Sequence, residues 1–169
     1  EELPTHGGSL RIFACHAENT ARERSASAEE LKSREASWGI DQLDRYEKFT
    51  DQVEATKRGI LRFLIEAREQ KKTVAGYGAP GKGNTLLNYC GIRTDFLAYT
   101  VDRSTYKQGK FTPGTRIPIY PPERIRETKP DFLFILPWNL KDEIMKQNSF
   151  IRQWGGKFVV PIPEVTVYE

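Results

Sequence analysis

The sequence predicts an α/β fold, a mostly parallel sheet with flanking helices, preceded by a long amphipathic helix. Three observations carry that prediction. Apolar runs alternate with helical stretches over residues 73–161, several of the runs are apolar without a break, and a glycine-rich stretch joins the first run to the first helix. Unbroken runs such as Phe132-Leu133-Phe134-Ile135-Leu136 suit strands buried on both faces, and their alternation with helices suits parallel strands covered on each side.

The chain opens on Glu1-Glu2-Leu3 rather than Met and moves at once into Leu10-Arg11-Ile12-Phe13-Ala14, a strand-like run behind the glycine turn Gly7-Gly8. A strand this short needs a neighbour to satisfy its backbone groups, and its natural partner is expected to be missing from the chain. Residues 16–40 read as an exposed, mobile connector. There Glu, Arg, Ser and Ala surround Leu31, with a loose helix expected over 28–35. From 41 to 72, Leu43, Tyr46, Phe49, Val53, Ile60, Leu61, Phe63, Leu64 and Ala67 recur largely at three- and four-residue steps among charged residues, which predicts one long helix with a possible bend at Gly59. At 1.5 Å per residue it spans roughly 45 Å, longer than a small domain is wide. It is either a packing helix or a rod that couples to a neighbouring domain or subunit. Over 73–169, strands are expected at 73–77, 97–101, 116–119, 132–136 and 157–161, with helices or turns at 82–89, 122–127 and 140–154.

Ligands of such sheets sit off the carboxyl ends of the strands. Here those ends are 76–82, 102–104, 137–139 and 161–164, four polar or conformationally special stretches on one rim. Gly76, Gly78 and Gly81 stand at the G-x-G-x-x-G spacing, with Gly83 following, where absent Cβ atoms permit a tight turn and leave backbone N–H groups facing a phosphate at a helix N-terminus. Asp102, about 24 residues after Gly78, ends the next strand, where an acid accepts ribose hydroxyls in a dinucleotide site. Pro80 removes one N–H donor and Lys82 adds a cation, two departures from a nicotinamide site. The competing reading is that the glycines only allow close strand-to-helix packing. The loop 103–116 mixes cations and hydroxyls and offers anion contacts at Lys107 and Lys110, or only a solvated surface. Trp138 can stack on a ring and Asn139 read its edge, or Trp138 can simply cover the sheet. Glu164 is the last acid on the rim or a solvated tail residue. His6, beside Gly7 and Gly8, is a weak catalytic candidate, since no Ser-His-Asp, His-Cys or paired-carboxylate arrangement is readable around it.

Composition removes several function classes. At 169 residues one domain can bury roughly 70% of its unfolded surface without staples. Two cysteines, Cys15 and Cys90, and two histidines, His6 and His16, support neither a disulfide framework nor a Cys/His metal site, and leave only an all-oxygen one open. A net charge of +3 spread among 23 acids argues against nucleic acid as the main partner. No apolar stretch approaches the ~20 residues of a membrane span and no signal peptide is readable, so no membrane partner and a cytoplasmic location are expected.

A family comes into view at Thr5-His6-Gly7-Gly8-Ser9-Leu10-Arg11, Gly76-Tyr77-Gly78-Ala79-Pro80-Gly81-Lys82-Gly83-Asn84-Thr85, Asp102 with Lys107-Gln108-Gly109, Pro113-Gly114-Thr115, Ile117-Pro118-Ile119 and Leu136-Pro137-Trp138-Asn139. Together these resemble the C-terminal domain of bacterial S-adenosylmethionine-dependent sugar C-methyltransferases, along nearly the whole chain. The resemblance implies a Rossmann-like domain within enzymes that also have a zinc-binding N-terminal region and a central methyltransferase domain, and it makes 1–15 the expected remnant of that central domain's last strand. Such enzymes methylate carbon 3 of nucleotide-linked 4-keto deoxysugars, for antibiotics or surface polysaccharides, through an enolate. This chain lacks the family's zinc-ligand cysteines, its donor-binding acidic glycine motif and its Tyr-x-Glu-His segment. It is therefore expected to be inactive alone, without bound S-adenosylmethionine or zinc, and to hold the nucleotide-sugar beside the upstream methyltransferase domain. Gly78, Lys82, Asn84 and Asp102 carry over as matched positions. The alternatives are an NAD(P)- or nucleotide-binding oxidoreductase domain and a non-catalytic interaction module.

Overall fold

A computed structural model of the chain describes every residue except Arg22 and Arg24, two positions within the predicted 16–40 connector. The chain divides into two compact units, Glu1–Gln52 and Val53–Glu169.

In the first unit, β1 (Glu2–Leu3) pairs antiparallel with β2 (Ser9–Leu10) across a 3-10 turn at Thr5–Gly7. Ser9 and Leu10 thus have a partner strand within the chain, and of the predicted 10–14 run Leu10 alone is in a strand. Positive φ at His6, Gly7 and Gly8 (55°, 87° and 123°) reverses the backbone and makes the pairing possible. Residues 11–15 take no regular structure, and Ile12 and Phe13 are exposed. Helix α1 (Ala26–Ser37) is longer than the expected 28–35 and buries no residue, as its polar composition dictates.

Helix α2 (Leu43–Glu69) is continuous, and Gly59 does not interrupt it. Its residues to Gln52 belong to the first unit, where Leu43, Tyr46 and Phe49 are exposed. In the second unit Ile60, Leu64 and Ala67 are buried.

The second unit is built on a six-stranded sheet in the order β5-β4-β3-β6-β7-β8. These are β3 (Val74–Tyr77), β4 (Thr100–Val101), β5 (Ile119–Tyr120), β6 (Phe132–Ile135), β7 (Lys157–Val160) and β8 (Thr166–Tyr168). All neighbours are parallel except β8, which runs antiparallel along β7. Alternate residues face opposite ways. Val74, Phe134 and Val159 therefore join Ile60, Leu64 and the α3 residues Leu86 and Leu87 in one core, α3 being Gly81–Cys90. Ala75, Tyr77, Leu133, Ile135 and Phe158 join Ile125 of α4 (Arg124–Thr128) and Ile144 of α5 (Lys141–Gln147) in a second. Each fully buried aliphatic or aromatic side chain contributes roughly 1.5–3 kcal/mol, so the two apolar faces are what hold β3 and β6 at the centre.

Three predicted elements change their bounds, and one strand was not predicted. Of 97–101 only Thr100 and Val101 pair, because the amides of Phe96 and Leu97 bond back to Arg93 O. Of 116–119 only Ile119 joins the six-stranded sheet, because Arg116, at φ 55°, closes a turn onto Thr112 O and Pro118 bridges back to Phe111. The helix predicted at 140–154 divides at Asn148, whose Nδ2 donates to Ile144 O, into α5 and a 3-10 segment at Ser149–Trp154. Strand β8 was legible only as a tail, three residues long and downstream of Pro161-Ile162-Pro163. The order places β3 and β6 side by side where the chain reverses its direction of growth, so their carboxyl ends flank the crevice in which open α/β sheets receive ligands.

Candidate functional site

The turn after β3 is tighter than a phosphate cradle requires. Gly78 has φ 85°, a region that side chains disfavour, and a Cβ there would lie 2.8 Å from Pro137 Cδ on the β6 side of the crevice. Gly76 lies against Thr100, with a would-be Cβ 2.7 Å from its Oγ1, and Gly83 against Leu136 at 2.9 Å from its Cβ. Only Gly81 of the four faces open space. Gly78 N–H donates to Val101 O at 2.6 Å and Ala79 N–H to Asp102 Oδ2 at 2.8 Å, while Thr100 Oγ1 donates to Gly78 O. The bare amides expected at Gly78 and Ala79 are therefore committed internally. This corrects the expected cradle: Gly76, Gly78 and Gly83 permit close packing, and the donors that remain are the first-turn amides of Gly81, Lys82 and Gly83 in α3, for which no hydrogen bond exists among the described residues. Pro80 caps that turn by accepting Asn84 N–H at 3.0 Å, and the Asn84 side-chain Oδ1 is buried without a partner.

Across the crevice, the 3-10 turn Trp138–Leu140 follows β6 and meets Lys82. Lys82 Nζ donates to Asn139 Oδ1 and lies 4.5 Å from the Trp138 ring centroid. Burial alone lowers the Lys82 pKa, and among the described residues no carboxylate pairs with it to raise it. An ammonium held by an amide oxygen and a ring face, both neutral, is a cation available to an anion.

Asp102 is at the rim, as expected, but it faces the protein. Besides Ala79, it accepts from Ser104 N–H at 2.8 Å and Lys107 Nζ at 3.0 Å, and its own carbonyl takes Gln108 Nε2. Burial pushes its carboxyl up, but the hydrogen bonds from Ser104, Lys107 and Ala79 outweigh that and hold it below its ordinary value. The acid thus fastens the glycine turn to the loop after β4. Asp102→Asn is expected to lose about 1–3 kcal/mol in urea unfolding, because an amide NH2 then faces a donor. The stability Asp102 contributes is present above its unfolded-state pKa and is lost as pH falls through its lower folded value, so the wild type and variant should converge in acid.

The sequence matches the family described as C-methyltransferase C-terminal domain over residues 4–163. The chain belongs to that family. It is also 40% identical over 162 residues to C-methyltransferase NovU of Streptomyces niveus, an alignment that takes in 96% of this chain and 38% of that protein. The chain therefore spans well under half the length of that curated relative. Among solved structures, the UDP-D-quinovosamine 4-dehydrogenase of Vibrio fischeri aligns with TM-score 0.40 and 22% identity, over 55% of this chain and 79% of the other.

In this C-methyltransferase C-terminal domain the structure brings Gly78, Lys82, Gly83, Trp138 and Asn139 to one crevice and sets Asp102 behind the glycine turn. His6 belongs to the other compact unit, exposed in its 3-10 turn with no hydrogen bond to its ring among the described residues. Lys110 lies 3.4 Å from the Tyr106 ring centroid, and Glu164 is exposed. Two positioning residues escaped the sequence reading. Thr100, fully buried, backs Gly76 and bonds Gly78 O. Asn88 donates from Nδ2 to Asn84 O and Pro113 O, tying α3 to the 103–116 loop. Neither belongs to a motif; each matters only because the fold sets a particular backbone carbonyl within reach.

Proposed function

We propose that this chain is the substrate-holding C-terminal domain of an S-adenosylmethionine-dependent sugar C-methyltransferase, and that it takes the diphosphate of a nucleotide-linked 4-keto deoxysugar on Lys82 and the first-turn amides of α3. The observation that carries this reading is Lys82 Nζ, at the switch point of the sheet, fastened among the described residues only to Asn139 and the face of Trp138. A diphosphate brings the charge partner that the ammonium lacks, and an aromatic face and an amide stand beside it for the rest of the ligand. Fixing the nucleotide end orients the sugar, so the acidic carbon next to the ketone can be presented to a methyl group by contacts remote from it. The chain's share is thus positioning, and it is inactive alone.

The methyl donor and zinc belong, in this reading, to the parts of the longer protein outside this chain. The residues here do not make a donor or dinucleotide site: Asp102, the acid placed for ribose hydroxyls, is committed to two backbone amides and Lys107, and Gly78 is packed against Pro137. The same commitment disfavours an NAD(P) domain. The exposed Leu43, Tyr46 and Phe49 of α2 offer an apolar surface to the upstream methyltransferase domain. No helix among the described residues is long and apolar enough to cross a membrane, both cysteines are free, and we place the protein in the cytoplasm.

Calorimetric titration of the chain with a thymidine diphosphate sugar, NAD and S-adenosylmethionine separates the readings. Heat is expected from the nucleotide-sugar only, with weak, roughly millimolar to micromolar affinity for a half-site. Heat from NAD would restore the oxidoreductase reading, heat from S-adenosylmethionine would contradict the division of labour, and no heat from any would leave a non-catalytic interaction module.

A further inference from the structure

The face of the sheet opposite α3 carries a cavity of about 250 Å³ between α4 and α5, lined by Tyr77, Arg103, Glu123, Arg126, Asn148 and Phe150 among others. Two of these are buried polar residues with an unused atom. Asn148 is 4% exposed and Tyr77 6%. Asn148 donates from Nδ2 to Ile144 O at 2.8 Å, which fixes the orientation of its amide, yet its Oδ1 accepts nothing from the described residues. The Tyr77 hydroxyl likewise has no hydrogen-bond partner among them. Neither atom is sealed in, since Asn84 Oδ1 is the one fully enclosed unpaired side-chain atom among the described residues, and both residues line the cavity. Buried polar groups are ordinarily satisfied, and a ligand's hydroxyls would satisfy these.

Charge points the same way. Two guanidiniums stand against one lining carboxylate, Glu123. Arg126 has no carboxylate within ion-pair reach among the described residues; its guanidinium carbon lies 3.6 Å from the Phe150 ring centroid, which supports the plane and leaves the N–H fork for an anion. Arg103 has a long pair with Glu143, 3.9 Å, both side chains exposed. Forked guanidinium donors match phosphate oxygens. The volume is below the roughly 300 Å³ at which pockets for drug-sized ligands begin, which fits one phosphate on one small ring or chain and not a nucleotide-sugar.

We propose that this cavity binds a small phosphorylated polyol, with its phosphate on Arg103 and Arg126, a hydroxyl donating to Asn148 Oδ1 and another hydrogen-bonded to the Tyr77 hydroxyl. The site is separate from the Lys82 crevice and does not rest on the nucleotide-sugar reading.

The test is a titration of the isotopically labelled chain with glucose 1-phosphate and, separately, inorganic phosphate, followed by amide chemical shifts. Glucose 1-phosphate should move the Tyr77, Asn148 and Phe150 amides and bind more tightly than inorganic phosphate, in a range of about 1 mM or below. Arg126→Met, which keeps an apolar stem on Phe150, should weaken both probes by about tenfold or more, the loss expected of one charge-assisted contact. Tyr77→Phe, which removes only the hydroxyl, should weaken glucose 1-phosphate about threefold to tenfold and leave inorganic phosphate unchanged. Lys82→Met should leave the responses of the Asn148 and Phe150 amides to either probe unchanged. Equal affinity for the two probes, indifference to Tyr77→Phe, or shifts that centre on Lys82 and vanish in Lys82→Met would overturn the proposal.

Discussion

Gly78→Ala is expected to lower the unfolding free energy by about 3 kcal/mol, within a range of roughly 2–5. Two costs add. A residue with a Cβ at positive φ loses roughly 1–2 kcal/mol relative to glycine, and φ here is 85°. The added methyl would also lie 2.8 Å from Pro137 Cδ and 3.0 Å from its Cγ, in a ring that cannot rotate away, and overpacking of that kind costs about 1–3 kcal/mol. Relief by backbone movement is blocked on both sides, because Gly78 N–H is bonded to Val101 O and Gly78 O to Thr100 Oγ1. Gly81→Ala is the matched control. Nothing lies within 4 Å of its would-be Cβ, its φ is not in the positive region, and it opens a helix, so it should be neutral or gain up to about 1 kcal/mol. Urea unfolding of the two variants compares the packing role of one glycine with the openness of the other. Equal losses would mean that Pro137 does not close the crevice on Gly78.

Lys82→Met should weaken the nucleotide-sugar by about 10- to 100-fold while changing stability by no more than about 1 kcal/mol, since a charge-assisted contact is worth roughly 1.5–3 kcal/mol and the lysine's own partners are an amide and a ring. The pH profile identifies the group. Burial lowers the Lys82 pKa, so the ammonium, and with it the affinity for an anion, should be lost as pH rises through a value below that of an ordinary lysine. Stability moves the opposite way. In the window between the depressed folded value and the unfolded one, the unfolded chain binds the extra proton, so the Lys82 contribution to stability rises with pH. Both dependences should be absent from Lys82→Met. Unchanged affinity in that variant would remove the lysine from the site, and an affinity flat with pH up to the ordinary lysine range would remove its charge from the mechanism.

Much of the fold is legible in the residues because burial on both faces leaves a simple mark. Phe132-Leu133-Phe134-Ile135-Leu136 reads as a strand covered on both faces, which β6 is from Leu133 on, and Val74 to Tyr77, running into a glycine turn and a helix, reads as the opening of an α/β unit. Boundaries are less legible where local hydrogen bonds compete with the sheet. Leu97 and Arg116 look extended in sequence but bond back to Arg93 and Thr112, and Asn148 divides a helix with its own side chain. In the crevice, the residue types at Lys82, Trp138 and Asn139 marked three separate candidate ligand contacts, and the structure sets the three against one another, a meeting that the sequence did not announce. The glycines misled, since a missing Cβ serves a ligand and a neighbouring proline equally well, and only the position of Pro137 tells which.

What the amino-acid order determined by itself was the class of fold and the rim where strand ends gather, because apolar periodicity and glycine spacing are local and survive without coordinates, while the family resemblance rests on short motifs read along the chain. What the tertiary structure alone decided was the use of each polar group. Whether Asp102 points at a ribose or at the amides of Ala79 and Ser104, and whether Lys82 finds a carboxylate or the face of Trp138, depends on which distant strand ends arrive beside them. Hydrogen bonds and charge pairs act over a few ångströms, and the partners concerned are separated by up to 57 residues along the chain.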